Sequence, residues 1–146
     1  VGANFLSLLR AVKKQIPLPL ASIKNKRSLI FVKNLASFID TCLQNPLAYN
    51  QTFLVSDDHD LSTPELLRQA ALAMQLKARL LPFPVLLLEL SAKLLGKKSI
   101  SDRLCLSLQV DSSKAHKLLG WKAPYTVQQG LQESVATLEN IQGKTR

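Results

Sequence analysis

Glycine is scarce in this sequence, and its five glycines lie far apart. They are Gly2, Gly96, Gly120, Gly130 and Gly143. A glycine-rich turn between a strand and a helix lets backbone N–H groups approach a pyrophosphate, because side chains there would block the phosphate oxygens. The sequence has no G-x-x-G-x-x-G run, so it lacks a dinucleotide site of this type.

Aromatic residues, cysteines and long apolar runs are also few. Aromatic residues make up 5% of the chain, and the basic residues are scattered rather than gathered on one helix face, so we do not expect nucleic-acid binding. The two cysteines, Cys42 and Cys105, have apolar neighbours and fit free thiols in a reducing compartment, which favours the cytoplasm. Charges and prolines interrupt the apolar stretch 78–95, so we expect neither a spanning helix nor a membrane partner.

Acidic residues are outnumbered by basic ones, ten to 19, which gives a net charge of +9. One interpretation is a surface of solvated lysines, and the other is an anionic ligand such as a phosphate or a diphosphate. The length of 146 residues is that of one ordinary domain. No secretory signal is visible. Because the sequence begins at Val1, without an initiator methionine, we expect a piece of a longer protein.

Residues 26–57 predict a strand, a helix and a second strand. The runs 29–32 and 52–55 are short, apolar and rich in β-branched or aromatic residues. Between them Asn34 can cap a helix, which Asn45-Pro46 ends. The apolar face of that helix is predicted from residues at helical spacing, which are Leu35, Phe38, Ile39, Cys42 and Leu43. A βαβ unit of this kind needs further sheet to cover its strands.

Further helices are predicted on both sides of this unit. The apolar pattern predicts helices over residues 4–14, 62–76, 85–95, 112–119 and 127–138, with a short strand at 78–81. Capping boxes begin two of the helices, at Ser62 with Glu65 and at Thr126 with Gln129. Helix 85–95 is apolar nearly all round, which is typical of a helix inside a core or at an interface.

Three sequence blocks carry a resemblance to a known family. Residues 27–36, R-S-L-I-F-V-K-N-L-A, are similar to the signature R-D-Y-I-H-V-D-D-L-A. They match it at Arg27, Ile30, Val32, Leu35 and Ala36, and the departures include Ser28, Phe31, Lys33 and Asn34. Residues 53–66 resemble Y-N-V-G…S…E-L, and residues 110–131 resemble D-x-S-K-A-x-x-x-L-G-W-x-P followed by G-L. In this order the blocks resemble the C-terminal half of the extended short-chain dehydrogenases, the family of the NAD-dependent nucleotide-sugar epimerases and dehydratases.

The resemblance implies an α/β fold, here a single C-terminal substrate-binding domain over residues 1–146. It would be mostly helical, with short strands and an incomplete Rossmann-type sheet. The full-length parent would use NAD, whereas this chain lacks both the glycine-rich turn and the family's Tyr-x-x-x-Lys. We therefore expect the chain alone to bind no cofactor and to be inactive. The implied partners are a UDP-sugar and, in a homo-oligomer, further copies of the chain.

In relatives the nucleotide is held by an asparagine, an extended backbone segment and two arginines. Their matches here are Asn4, the segment 18–21 with Leu18 and Leu20, Arg27 and Arg103. Guanidinium groups suit this role because they form paired, charge-assisted hydrogen bonds with phosphate oxygens. Asn4 can equally be a helix cap, and both arginines can be surface residues.

Other chemistry-bearing residues have simpler interpretations. The loop Asp57, Asp58, His59, Asp60 is expected to be solvated rather than to bind a metal. We expect Asp111 to be a helix cap and Trp121 to fill the core. The alternative function is a non-catalytic interaction module, in which helix 85–95 and the basic surface contact a partner protein or an anionic surface.

Overall fold

The computed structural model describes residues 3–94, 96, 102 and 104–143, and helices dominate it. The helices are α1 (Ala3–Lys13), α2 (Val32–Gln44), α3 (Thr63–Ala73), α4 (Val85–Leu94), α5 (Ser113–Leu119) and α6 (Val127–Gly143). A short 3-10 turn at Pro46–Ala48 follows α2. Within the described part of the chain, β pairing is limited to three isolated bridges, which join Leu18 to Leu80 and Arg27 to both Leu61 and Leu108. The mostly helical prediction is thus confirmed.

The predicted strands 29–32, 52–55 and 78–81 are wrong. Val32 already belongs to α2, and residues 52–55 have no β pairing in the structure. Of residues 78–81 only Leu80 forms a bridge. A strand is stable when its N–H and C=O groups pair with a neighbour along its length, and the described residues provide single bridges instead. No Rossmann-type sheet is therefore formed by these residues.

The ends of the helices follow the local signals in the sequence. At the start of α3 the N–H of Glu65 donates to Ser62 Oγ (3.3 Å), and the N–H of Ser62 donates to Glu65 Oε2 (2.8 Å). At the start of α6 the N–H of Thr126 donates to Gln129 Oε1 (2.8 Å). Gly120 ends α5 with φ of 66°, a conformation that glycine adopts without steric cost. Both predicted capping boxes are confirmed.

Three apolar clusters hold the helices together. The first joins α1, α3 and α6 through Leu9, Leu61, Leu66, Ala70, Val127 and Leu131. The second joins α1 and α3 to the segment around Leu18 and to α4, and its buried members are Val12, Leu20, Ile23, Leu67 and Ala71. The third consists of Phe38, Ala115 and Trp121, so Trp121 fills the core as predicted.

Helix α2 buries only part of the predicted face: Phe38 and Cys42 pack in the third cluster, together with an unpredicted buried residue, Asn34. Asn34 is fully buried and lies in the first turn of the helix, so it is not the N-cap. Phe38 is buried one turn later, whereas Ile39 and Leu43 are 50% and 75% exposed. The amide of Asn34 is hydrogen-bonded to Asp57 and to Tyr125, which fixes this side of the first turn toward the interior.

Candidate functional site

Arg27 is the predicted phosphate-binding residue that the structure describes most fully. Its N–H donates to the carbonyl of Leu61 (2.9 Å), and its carbonyl accepts from the N–H of Leu61 (3.1 Å). The bridge to Leu108 lies on its other side, so the backbone of Arg27 is held from two directions. Its guanidinium Nη1 donates to the carbonyl of Leu106 (3.4 Å). The side chain therefore lies alongside the segment 104–108.

Asn25 fixes this arrangement, although its sequence pattern did not predict a role for it. Its side chain accepts from the N–H of Thr63 (2.8 Å) and donates to Thr63 Oγ1 (3.1 Å). The same amide nitrogen lies 3.2 Å from the carbonyl of Leu104 and 3.1 Å from that of Leu106. Asn25 thus ties the start of α3 and the segment 104–106 to the residues just before Arg27. The only signal in the sequence was an amide side chain between two lysines.

The segment 18–21 packs against residues 79–81. The N–H of Leu18 donates to Arg79, and the N–H of Ala21 donates to Leu81. The carbonyl of Leu18 accepts from Leu81, and the side chain of Leu20 is buried. Backbone groups that were predicted to meet a nucleotide base therefore already have partners within the chain. A base bound here would share these acceptors, so the roles of Leu18 and Leu20 stay predictions.

The other two predicted site residues lie at the limits of what the structure describes. Asn4 is in the first turn of α1, next to Phe5, whose side chain lines a groove described below. Arg103 lies outside the described residues. The next residue, Leu104, accepts hydrogen bonds from Asn25 and from Thr63 Oγ1 (2.7 Å). The structure thus brings residues 25–27 together with the chain that follows Arg103.

Asp57 and Asn34 form a second polar junction. Both oxygens of Asp57 accept from the N–H of Phe31 (3.0 Å each), and Oδ1 also accepts from Asn34 Nδ2 (2.6 Å). Asn34 then donates to the carbonyl of Tyr125 (2.8 Å) and accepts from its N–H (2.9 Å). This junction fixes the start of α2 against the loop before α6.

An apolar groove of about 440 Å³ opens beside that junction. It lies between the starts of α1 and α2 and the first turns of α6, and its lining includes Phe5, Leu29, Phe31, Leu35, Val127, Gly130 and Leu131. A Cβ atom at Gly130 would lie 2.8 Å from Phe31 Cγ, so glycine is needed for the close approach of α6 to Phe31. This largely apolar lining offers few hydrogen-bond partners to a charged ligand such as a diphosphate.

The acidic loop 57–60 uses its carboxylates within the protein. Asp58 lies 2.9 Å from Nε2 of His116, whose ring stacks on Trp121. Asp60 accepts from Ser28 Oγ (2.6 Å) and from Gln109 Nε2 (2.6 Å). These hydrogen bonds, that of Ser28 above all, hold the pKa of Asp60 below its ordinary value. Among the residues that the structure describes, no group of three or more His, Cys, Asp or Glu side chains is placed to hold a metal ion.

Of the predicted site, the structure describes the surroundings of one arginine, Arg27. The chain contributes an arginine on a fixed backbone, next to a segment that follows a second arginine. Neither Cys42 nor Cys105 forms a disulfide, and burial raises the pKa of the Cys42 thiol, which makes that thiol a poor nucleophile. No helix in the described ranges is long and apolar enough to cross a membrane.

Comparison with known proteins places this chain close to sugar 4-epimerases in sequence. The chain is 50% identical over 135 residues to UDP-glucose 4-epimerase of Vibrio cholerae, which is 92% of the chain and 41% of that protein. It is 27% identical, over 90% of its length and 43% of the relative, to N-acetyl-alpha-D-glucosaminyl-diphospho-ditrans,octacis-undecaprenol 4-epimerase of Escherichia coli O157:H7. No family model matches the chain, and no solved structure matches it.

The resemblance that the three motif blocks indicated is thereby confirmed. The chain is similar over nearly its whole length to part of a UDP-glucose 4-epimerase and, more weakly, to part of a second sugar 4-epimerase. It spans about two fifths of the length of the curated relatives that it matches.

Proposed function

We propose that this chain is the part of a sugar 4-epimerase that binds the diphosphate-linked substrate, with a UDP-sugar as the first candidate. The observation that carries the proposal is the 50% identity to UDP-glucose 4-epimerase over 92% of the chain. The excess of basic residues supports it, because a diphosphate needs cationic partners. Both relatives have names that describe a sugar joined to a diphosphate, although the carriers differ.

In this proposal the residues of the chain bind and orient the substrate. Arg27 contributes a guanidinium whose backbone is fixed between Leu61 and Leu108, so little freedom is lost on binding. Arg103 contributes the second guanidinium, and Asn4 a hydrogen-bonding side chain near the sugar diphosphate.

The redox step belongs to residues that this sequence does not contain. NAD supplies oxidation and reduction at the sugar carbon in the epimerase family that the motifs resemble. The residues here do not fit NAD, because the five glycines form no phosphate-binding turn and no Tyr-x-x-x-Lys is present. We therefore propose that the chain alone binds substrate but catalyses no epimerisation. Within the parent protein it would form the C-terminal substrate domain.

Calorimetric titration of the chain with UDP-glucose tests the binding role. Replacing Arg27 with alanine is expected to weaken binding by about 10–100-fold, since charge-assisted hydrogen bonds to phosphate are lost. Arg27→Lys should lie between the two, because lysine keeps the charge but not the paired geometry. Arg68→Ala is the matched control: Arg68 is an exposed arginine on α3. Failure to bind UDP-glucose, or binding unchanged in Arg27→Ala, contradicts the proposal.

A second candidate function is supported by the exposure of α4. Leu86 and Leu94 are 75% and 80% exposed, which is unusual for a helix so rich in leucine. In this alternative the chain is a non-catalytic interaction module that uses α4 and the basic surface. Binding of UDP-glucose that is lost on Arg27→Ala, but unaffected by changes in α4, would favour the first candidate.

A further inference from the structure

The positive charge of the chain is concentrated in two segments. Residues 1–27 and 76–98 contain eleven of the 19 lysines and arginines, but only one of the ten acidic residues, Glu89. The remainder of the chain contains eight basic and nine acidic residues, so the net charge of +9 originates in these two segments. Basic residues that look scattered along the sequence are thus gathered in two regions of it.

The fold brings these two segments together. Leu18 forms a parallel bridge with Leu80, and Gln15 Nε2 donates to the carbonyl of Lys77 (3.1 Å). Val12 of the first segment is buried in the second apolar cluster, and Val85 of the second segment packs against this cluster. The exposed Lys13 and Lys14 therefore lie near the exposed Lys77 and Arg79 in the fold, and α4 follows directly. These four residues and α4 are called the basic side.

Helix α4 presents leucines to solvent on this basic side. Val85 and Leu88 face the second cluster, whereas Leu86, Leu87, Leu90 and Leu94 are 75%, 48%, 52% and 80% exposed. Leu86, Leu90 and Leu94 follow one another at intervals of four residues and so lie along one side of the helix. Exposed leucines within a cationic surface are the features by which interfacial helices bind anionic bilayers.

We propose that α4 and the basic residues beside it form a docking surface for an anionic lipid bilayer. The leucines enter the boundary between headgroups and acyl chains, and Lys77, Arg79 and Lys93 contact lipid phosphates. Helix α4 has ten residues, about 15 Å at 1.5 Å per residue, so it lies on the bilayer and does not cross it. This inference departs from the prediction, made from sequence alone, that no membrane is involved.

Charge complementarity favours a bilayer over a second copy of the chain. A symmetric contact through α4 would bring two strongly basic sides together, and their repulsion would oppose association. An anionic bilayer instead provides negative charge along its whole surface, together with an apolar interior for the leucines.

Co-sedimentation with vesicles tests the proposal. The chain should bind vesicles made of phosphatidylglycerol and phosphatidylcholine in equal parts, and should bind vesicles of phosphatidylcholine alone at least about tenfold more weakly. The triple variant Leu86→Gln, Leu90→Gln, Leu94→Gln should lower the partition coefficient by about tenfold or more, since apolar burial is lost. Glutamine keeps the helix propensity close to that of leucine.

Matched variants distinguish vesicle binding through α4 from nonspecific binding through any exposed leucine. Leu43→Gln and Leu72→Gln change leucines that are 75% and 68% exposed elsewhere, and both should leave vesicle binding unchanged. The charge reversal Lys77→Glu with Arg79→Glu should weaken binding, whereas Lys117→Glu with Lys122→Glu should weaken it less. No binding to the anionic vesicles overturns the proposal. So does equal loss in all leucine variants, or a dimer in light scattering that the α4 triple variant abolishes.

This test is independent of the proposed substrate role. The α4 residues changed in the vesicle test are not among the predicted substrate contacts. UDP-glucose titration of the α4 variants should therefore match that of the unsubstituted chain. A chain that binds vesicles but no UDP-glucose would support the docking surface and contradict the proposed function.

Discussion

Two regions of this molecule differ in the kind of side chain that they bury or expose. At the junction of Asn34, Asp57 and Tyr125, polar groups lie in the interior and each has a partner. On α4, in contrast, apolar leucine side chains are exposed to solvent. Among the described residues, no buried side-chain nitrogen or oxygen is left without a hydrogen bond. The stability of this chain should therefore depend on the interior polar junctions, and its interactions on the apolar surface.

The largest expected effect on the free energy of unfolding is that of a substitution at Asn34. Asn34→Ala removes three hydrogen bonds and leaves both backbone groups of Tyr125 without their side-chain partner. Because each buried polar group left unpaired costs about 1–3 kcal/mol, we expect a loss of roughly 3 kcal/mol or more in the free energy of unfolding. Urea denaturation followed by circular dichroism measures it.

Asn45→Ala is the control for Asn34. Its side chain accepts one exposed hydrogen bond, from the N–H of Leu47 (3.0 Å), so its loss should cost less than about 1 kcal/mol. If both asparagine variants lost the same stability, the distinction between interior junctions and surface caps would fail.

A smaller effect is expected at Gly130. Alanine normally stabilises a helix by about 0.5–1 kcal/mol relative to glycine. Here the new Cβ would lie 2.8 Å from Phe31 Cγ, and the N–H of Phe31 is held by Asp57, so we expect Gly130→Ala to destabilise by about 1–3 kcal/mol. Thermal unfolding measures it, and Gln132→Ala, an exposed change in the same helix, should be near zero. A stabilising Gly130→Ala would show that Phe31 moves freely.

Local signals in the sequence correctly predicted the capping boxes that begin α3 and α6 and the glycine that ends α5. The boxes at Ser62 and Thr126 and the αL residue Gly120 depend on partners within four residues, so the sequence contains all that is needed. Strands depend on distant neighbours. The short runs at 29–32 and 52–55 have β-type composition, but composition does not supply a pairing partner.

The polar junctions were not predictable for the same reason. The partners of Asn34 lie 23 and 91 residues away in sequence, at Asp57 and Tyr125. The local pattern favoured a capping role, and the long-range hydrogen bonds overrode it. Ser28, where the family signature has Asp, shows the same dependence, since it bonds to Asp60 and to the N–H of Val110 (2.9 Å). Arg27 of the predicted site also depends on distant partners, because its backbone pairs with Leu61 and Leu108.

A further expected effect is a dependence of stability on pH. The pKa of Asp60 is lowered in the folded chain, chiefly by Ser28, and that of Glu65 by Ser62. Because both folded pKa values lie below the unfolded ones, this stabilisation is full above about pH 4–5, near the unfolded values, and is lost as pH falls through the folded values. Urea midpoints measured from neutral to acidic pH should therefore decrease. Ser28→Ala should flatten the decrease, whereas Ser107→Ala, which removes no contact of Asp60, should not.

The smallest expected effect concerns α4 and completes the contrast with Asn34. Leu86→Gln changes a side chain that is 75% exposed and keeps the helix propensity, so the free energy of unfolding should change by less than about 0.5 kcal/mol. Leu88→Ala on the same helix removes packing against the second cluster and should cost about 2 kcal/mol. Urea denaturation of the two variants separates them. Similar losses of stability in both variants would mean that Leu86 supports the fold. An unchanged free energy of unfolding in Leu86→Gln would instead favour interaction with a partner as the role of the exposed leucines.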